Sequence, residues 1–282
     1  MLQINQLLRE SSDRLQEAGY IHGQREAETI LGHLTGLDTT KLFTSGEDEL
    51  EDQITTRMEK AVTERLNGRP LAYIIGSQQF LGWHLASDER ALIPRPETEQ
   101  LVELLVQEIR SHKLQNGKIL EVGTGAGPIA VSLKKFFPGA TVTATDISDE
   151  ALELAEDNAR TLGAEIELIQ SDLLTEITPK AYDVIVANLP YVPEERLAFV
   201  SDEILDWEPM IAVQAGEDGF AYIRRLIENI QPFTQDKTII ALEMWHTHAP
   251  LVESAILARF PKARVTIKQD LGGFDRFALI EL

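Results

Sequence analysis

The residues best suited to chemistry lie in two short segments. Asn188-Leu-Pro-Tyr191 closes the apolar run 183–187, and Gly123-Thr-Gly-Ala-Gly127 closes the run Ile119-Leu-Glu-Val122. The first segment suits work on an amide or exocyclic amine nitrogen. Such a nitrogen is a poor nucleophile because its lone pair is delocalised into the adjacent π system, so a catalyst has to orient and localise that pair. The Asn188 side-chain oxygen can accept one N–H of the acceptor, and the carbonyl of Leu189 or Pro190 the other. Tyr191 can stack on a planar acceptor, and positioning with local polarity then carries the rate without a metal or a strong base. Asn188, Pro190 and Tyr191 are the candidate catalytic residues, and Asn188, Leu189, Pro190 and Tyr191 the candidate acceptor site. The same tetrapeptide also reads as a plain strand-ending turn, since Asn and Pro are common turn residues. What favours chemistry is its position after a donor site.

Glycine-rich turns serve several cofactors, and spacing discriminates among them. A dinucleotide fingerprint wants glycines at positions one, three and six, whereas the sixth position from Gly123 is Pro128. A phosphate-binding loop is also excluded, because no Gly-Lys-Ser/Thr ends the turn. What remains is Glu121-x-Gly-x-Gly-x-Gly127, the first motif of methyltransferases that use S-adenosylmethionine. That cofactor has no pyrophosphate and needs close backbone approach more than an anion cradle. Asp146, ending the second strand, is placed to accept from both ribose hydroxyls. Asp172, after the third, is placed to accept from the adenine amino group, with Leu173 against the ring. Either aspartate alone reads equally as a turn or helix cap. The ordered set, Gly123, Thr124, Gly125, Ala126, Gly127, Asp146, Asp172 and Leu173 with Asn188 beyond, points to the donor.

The elements that must position these residues follow from periodicity. Ile4, Leu7, Leu8 and Leu15, then Ile30, Leu31 and Leu34, then Ile54, Met58, Val62 and Leu66 recur at helical spacing, punctuated by Gly19, Gly36 and Gly46. They predict a small all-helical domain over 1–70, ending at the turn-rich Asn67-Gly-Arg-Pro70. Residues 71–92 read as a linker, with 71–75 and 79–85 extended or paired in a hairpin. The domain 93–282 opens on Ile93-Pro-Arg-Pro-Glu-Thr-Glu99, where prolines and acids suit a helix start. Strands are expected at 118–122, 141–145, 165–170, 183–187, 238–243, 264–269 and 276–281, separated by helical stretches up to the last pair. This alternation predicts an α/β fold with a seven-stranded, mostly parallel sheet covered on both faces. The connection 270–275 is too short for a helical crossover, so the final strand is expected to be antiparallel.

Composition narrows the function classes. The 282 residues are 43% hydrophobic, enough for two cores, and contain no cysteine, which excludes disulfides, thiolate metal sites and thiol catalysis. A reducing compartment fits, and the cytoplasm is expected. The first residues lack a basic region followed by a long apolar run, and no window reaches about 18 consecutive apolar residues, so neither a secretion signal nor a membrane span is expected. A net charge of -20 repels phosphate backbones and argues against direct nucleic-acid binding. It reads either as a solvated acidic surface or as one suited to a basic partner. His246 and His248 have no third histidine or carboxylate pair beside them, and no metal site is expected.

Gly68-Arg-Pro-Leu-Ala-Tyr-Ile-Ile-Gly76, Phe80-Leu-Gly-Trp83 and Leu92-Ile-Pro-Arg-Pro-Glu-Thr-Glu99 resemble the peptide chain release factor glutamine methyltransferases. The resemblance continues through residues 120–127, Ala144-Thr-Asp-Ile-Ser148, Asn188-Leu-Pro-Tyr191, Trp207-Glu-Pro209 and Gly216-Glu-Asp-Gly-Phe220. It implies transfer of a methyl group from S-adenosylmethionine to the side-chain amide of the glutamine in the Gly-Gly-Gln loop of release factors. It also implies that residues 123–127, Asp146, Leu173 and Asn188 bind the donor, that 188–191 hold the glutamine, and that the helical domain docks the release factor. Arg95 and Glu97 are expected in the pocket wall, against the simpler reading of a helix start. Two departures stand out: Leu189 replaces the family's usual proline, a pattern familiar in adenine-methylating RNA enzymes, and Glu243-Met-Trp-His replaces the usual Glu-Ile-Gly. The alternatives are an adenine-amino methyltransferase acting on RNA or DNA, which would want a basic, aromatic surface, and a non-catalytic protein that binds the donor and scaffolds a partner.

Overall fold

The computed structural model of the protein describes residues 2–282. Its contacts divide the chain into two units. One is the chain up to Ser77 together with Asp202–Trp207; the other is Gln78–Ser201 together with Glu208–Leu282.

The first unit is helical: α1 (Ile4–Glu17), α2 (Gly23–Thr35), α3 (Thr39–Thr44), α4 (Asp52–Leu66) and α5 (Leu71–Ile75). Its core gathers the apolar stripes legible in the sequence, with Ile4, Leu7, Leu15, Ile30, Leu31, Met58 and Val62 all buried. Gly36 ends α2 in the left-handed conformation, and the Asp38 carboxylate caps α3 by accepting from the Lys41 amide at 2.8 Å. Arg65 is buried at the end of α4, where it donates to Glu26 and to Glu203 at 2.6 Å each and lies over the Tyr20 ring.

The extended reading of residues 71–75 is corrected: Leu71–Ile75 is a helix. Tyr73, Ile74 and Ile75 look strand-like by composition, but Pro70 fixes the entry and Gly76, at φ 75°, the exit. Leu71 and Ile74, one helical turn apart, pack on the same core as α1, α2 and α4. The hairpin follows as β1 (Ser77–Phe80) and β2 (Trp83–Ala86), joined by Leu81 and Gly82, both at positive φ as a tight hairpin turn requires.

The second unit continues with α6 (Pro96–Ser111), β3 (Lys118–Val122), α7 (Pro128–Phe136), β4 (Thr141–Asp146), α8 (Asp149–Leu162), β5 (Glu167–Gln170) and β6 (Val184–Ala187). After the segment α9 (Asp202–Trp207), which belongs to the first unit, come α10 (Ala221–Asn229), β7 (Ile239–Glu243), α11 (Ala249–Arg259), β8 (Arg264–Gln269) and β9 (Asp275–Glu281). The seven expected strands form one sheet in the order β5-β4-β3-β6-β7-β9-β8. It is parallel except for β9, which runs antiparallel to both β7 and β8.

Alternation along the strands sends side chains to two cores. Val184 and Val186 pack with Leu101 and Leu105 of α6 and Ile129 and Leu133 of α7. Ile185 and Ala187 pack with Ile223 and Leu226 of α10 and Val252 and Ile256 of α11. From β3 the chain moves outward through β4 and β5, then returns to the other side of β3 as β6. The strand order therefore reverses between β3 and β6, where open α/β sheets bind ligands.

Candidate active site

Strand register assembles the site. Val122 pairs with Thr145 and with Ala187, and Ala187 pairs with Leu242. One residue further along each strand, Asp146, Gly123, Asn188 and Glu243 therefore form a row across the carboxyl edge of the sheet. A cavity opens on this row. Of the residues the sequence singles out, Gly123, Thr124, Gly125, Ala126, Asp146, Asp172, Leu173, Asn188, Leu189 and Pro190 line it.

Gly127 and Tyr191 lie outside that lining. Gly127 begins α7 at φ 83°, and a Cβ there would stand 3.2 Å from the Ala155 Cβ, so this glycine lets α7 and α8 approach. The Tyr191 hydroxyl donates to Glu243 at 3.0 Å, while its ring neighbours Trp245 and Arg276.

The glycine turn is held from below and behind. The amides of Gly123 and Thr124 both donate to the Thr145 carbonyl at 2.8 Å. The Gly125 amide donates to the Asp146 carboxylate at 2.8 Å, and Ser148 donates to its other oxygen at 3.0 Å. Burial raises the Asp146 carboxyl above its usual range, against the lowering pull of these amides. Buried Asn158 of α8 donates to the carbonyls of Ala126 and Ala86 and accepts from the Ala86 amide, tying the turn to β2.

Glu121, wholly buried beneath the turn, accepts from the Thr124 hydroxyl at 2.7 Å and the Ala130 amide at 2.9 Å through one oxygen. Its other oxygen is buried and has no partner among the described residues, and Glu121 lines the cavity. Desolvation pushes this carboxyl up to about 8. A buried oxygen of this kind calls for a polar partner from the ligand, and a cationic one favours the ionised carboxyl.

At the far wall Asp172 has a protein partner, Arg225 at 2.8 Å, and both side chains are more than two-fifths exposed. Such a pair contributes about 0–1 kcal/mol, so it leaves the carboxylate available to a ligand. Leu173 adopts φ 56° and its carbonyl accepts from Thr145, a left-handed leucine that costs on the order of 1–3 kcal/mol and presents its side chain to the cavity.

At the turn after β6 the Asn188 side-chain nitrogen donates to the Thr98 hydroxyl at 3.0 Å, and that hydroxyl donates to Glu243 at 3.0 Å. Glu243 ends a strand buried along its whole length, and desolvation lifts its carboxyl to about 7. Burial, then the neighbouring Glu243, push the Tyr191 phenol well above its ordinary value. Arg95 lines the cavity and is paired with the buried Glu208, which also accepts the Ile93 amide at 3.0 Å. The Ile93–Arg95 strap is thus tied to Glu208. Glu97 is absent from the lining and adjoins Glu243 and Tyr191 only electrostatically.

Thr98 lines the cavity, and Glu243 adjoins it through its bonds to Thr98 and Tyr191; the sequence singles out neither as a candidate. Thr98 lies within Ile93–Glu99, whose prolines and acids read as a helix start. An acid ending a wholly apolar strand was the available signal for Glu243. His246 lies between the Trp245 and Phe274 rings in tilted contacts, and His248 faces the Asp218 carbonyl at 3.0 Å. Among the described residues no three His, Cys, Asp or Glu gather as a metal site.

Two family models match the chain: PrmC N-terminal domain over residues 6–76 and Methyltransferase small domain over residues 97–206. A release factor glutamine methyltransferase of Bacillus subtilis is 36% identical over 280 residues, covering 98% of this chain and 96% of the relative. The chain belongs to the release factor glutamine methyltransferases. A second member, from Streptococcus pneumoniae, is 40% identical over 237 residues, 82% of this chain and 84% of its own. Among solved structures, a methyltransferase from Pyrococcus furiosus superposes with a TM-score of 0.51 at 19% identity, covering 71% of this chain and 89% of that one, a likeness of fold alone.

Leu189, the departure from the family's usual proline, packs against the glycine turn. A Cβ on Gly123 would stand 2.8 Å from Leu189 Cδ2, so the first glycine of the turn makes room for Asn188-Leu-Pro-Tyr191.

Proposed function

We propose that the protein transfers a methyl group from S-adenosylmethionine to the side-chain amide nitrogen of the glutamine in the Gly-Gly-Gln loop of a peptide chain release factor. The observation that carries this reading is that the glycine turn and Asn188 to Pro190 open on one cavity at the switch point of the sheet. Family membership supports the choice of acceptor.

The residues present fit the donor. The orphaned oxygen of Glu121 suits a cationic amino group at the methionine end, the oxygens of Asp146 have lone pairs left for ribose hydroxyls, and Asp172 with Leu173 suits the adenine end. When bound, S-adenosylmethionine supplies an electrophilic methyl group on a sulfonium sulfur. The protein's part is orientation: the Asn188 oxygen accepts one N–H of the glutamine amide, and the Leu189 or Pro190 carbonyl accepts the other. The amide lone pair then points into the cavity, and water is displaced from around it. Tyr191, held on Glu243, braces this turn from outside the cavity. The helical unit, with its own core, is read as the docking domain for the release factor, and the cytoplasm is the compartment this substrate implies.

Asn188→Ala tests the reading. Turnover should fall by about 100-fold or more, with donor affinity by calorimetry largely kept. Turnover that survived the change would refute the proposed role of Asn188.

A further inference from the structure

We propose that Thr98 and Glu243 form a one-way hydrogen-bond relay that sets which end of the Asn188 carboxamide faces the acceptor. The inference rests on the reading that Asn188 holds the acceptor nitrogen, and it concerns how Asn188 is kept able to do so.

The hydrogens available along the relay fix its direction. An ionised carboxylate only accepts, and Glu243 accepts from Thr98 through one oxygen and from Tyr191 through the other, each at 3.0 Å. The Thr98 hydroxyl carries a single hydrogen, which that bond uses. Toward Asn188 it can present only a lone pair, so the carboxamide must turn its NH2 group to Thr98, as the 3.0 Å contact has it. The carboxamide oxygen is then the end left for an acceptor N–H. The flipped amide would set two oxygens against each other at a buried hydroxyl and two donors against each other at the acceptor.

The relay joins α6, β7 and the turn after β6, and a single carboxylate ties both ends of Asn188-Leu-Pro-Tyr191. Thr98 and Glu243 are positioning residues that act through Asn188. Protonation of Glu243 would let it donate, freeing the Thr98 hydrogen and removing the directional constraint. The charged and titratable groups facing that carboxyl are Arg276 on β9, which favours its ionised form, and Glu97 on α6, which opposes it, with the Tyr191 phenol as its bonded partner.

Thr98→Val keeps the side chain's shape and removes its hydroxyl, whereas Thr98→Ser keeps the hydroxyl and removes a methyl group. The relay predicts that Thr98→Val lowers kcat roughly 10- to 100-fold with unchanged affinity for S-adenosylmethionine, while Thr98→Ser stays within about 3-fold of the parent. It also predicts that the parent's kcat falls with pH below neutrality and that this limb is lost in Thr98→Val and Glu243→Gln. A packing role would reverse the ranking of the two Thr98 variants, and a pH limb persisting in Thr98→Val would equally overturn the relay. The Asn188 side-chain amide signal in NMR gives a readout independent of turnover. It should be protected from exchange in the parent and Thr98→Ser and unprotected in Thr98→Val; the same protection in all three would overturn the relay. If the parent fails to methylate a release factor, the functional reading fails while this signal still decides the relay.

Discussion

At the scale of single residues, the site is governed by what a few atoms exclude. Gly123 sits at φ 80° with Leu189 Cδ2 only 2.8 Å from where its Cβ would be, so two independent constraints meet at one position. Gly123→Ala should cost about 1–3 kcal/mol of stability, by denaturant unfolding, from the left-handed backbone alone. Because the added carbon pushes on Leu189, kcat should fall by a larger factor than donor affinity does. Equal losses in both would mean that the glycine serves only the donor. Glu121 shows the converse, a place where an atom is wanted: its buried, unpartnered oxygen marks the end of the cavity that needs a donor group.

At the scale of elements, the helix stripes, the strands and the antiparallel end of the sheet were legible because each depends on local periodicity and connection length. The misread element, Leu71–Ile75, is one whose β-branched composition is overruled by Pro70, Gly76 and packing on the helical core. The glycine turn and Asn188-Leu-Pro-Tyr191 were legible because each is contiguous. Thr98 and Glu243 were not, because Thr98 meets Glu243 only where the first turn of α6 lands against the end of β7, a contact spanning 145 positions. A similar long-range tie holds α9 in the helical unit, where Glu203 meets Arg65. Arg65→Ala should lower the stability of that unit by about 1.5–3 kcal/mol, the range for hydrogen bonds to charged groups. Limited proteolysis should then cut first near Asp202–Trp207. An unchanged cleavage pattern would show that the segment is held by other contacts.

At the scale of the whole molecule, charge and burial act in the same direction. Glu121 and Glu243 are raised from an ordinary value of 4.5 to about 8 and about 7, so the folded state binds more protons than the unfolded state across that interval. Their contribution is fully present below pH 4.5 and is lost as pH rises through those values. Self-repulsion at a net charge of -20 adds to the same decline. Stability measured by denaturant midpoint should therefore fall between about pH 5 and pH 9, and Glu121→Gln should flatten that fall. A midpoint that rose over this interval would contradict the protonation states argued for both carboxyls. The most direct test of the account is to incubate the protein with isotopically labelled S-adenosylmethionine and, separately, a release factor and total RNA, and to locate the label by mass spectrometry. The account predicts one methyl group on the side-chain nitrogen of the Gly-Gly-Gln glutamine and none on RNA; label on RNA with an unmodified release factor would contradict it.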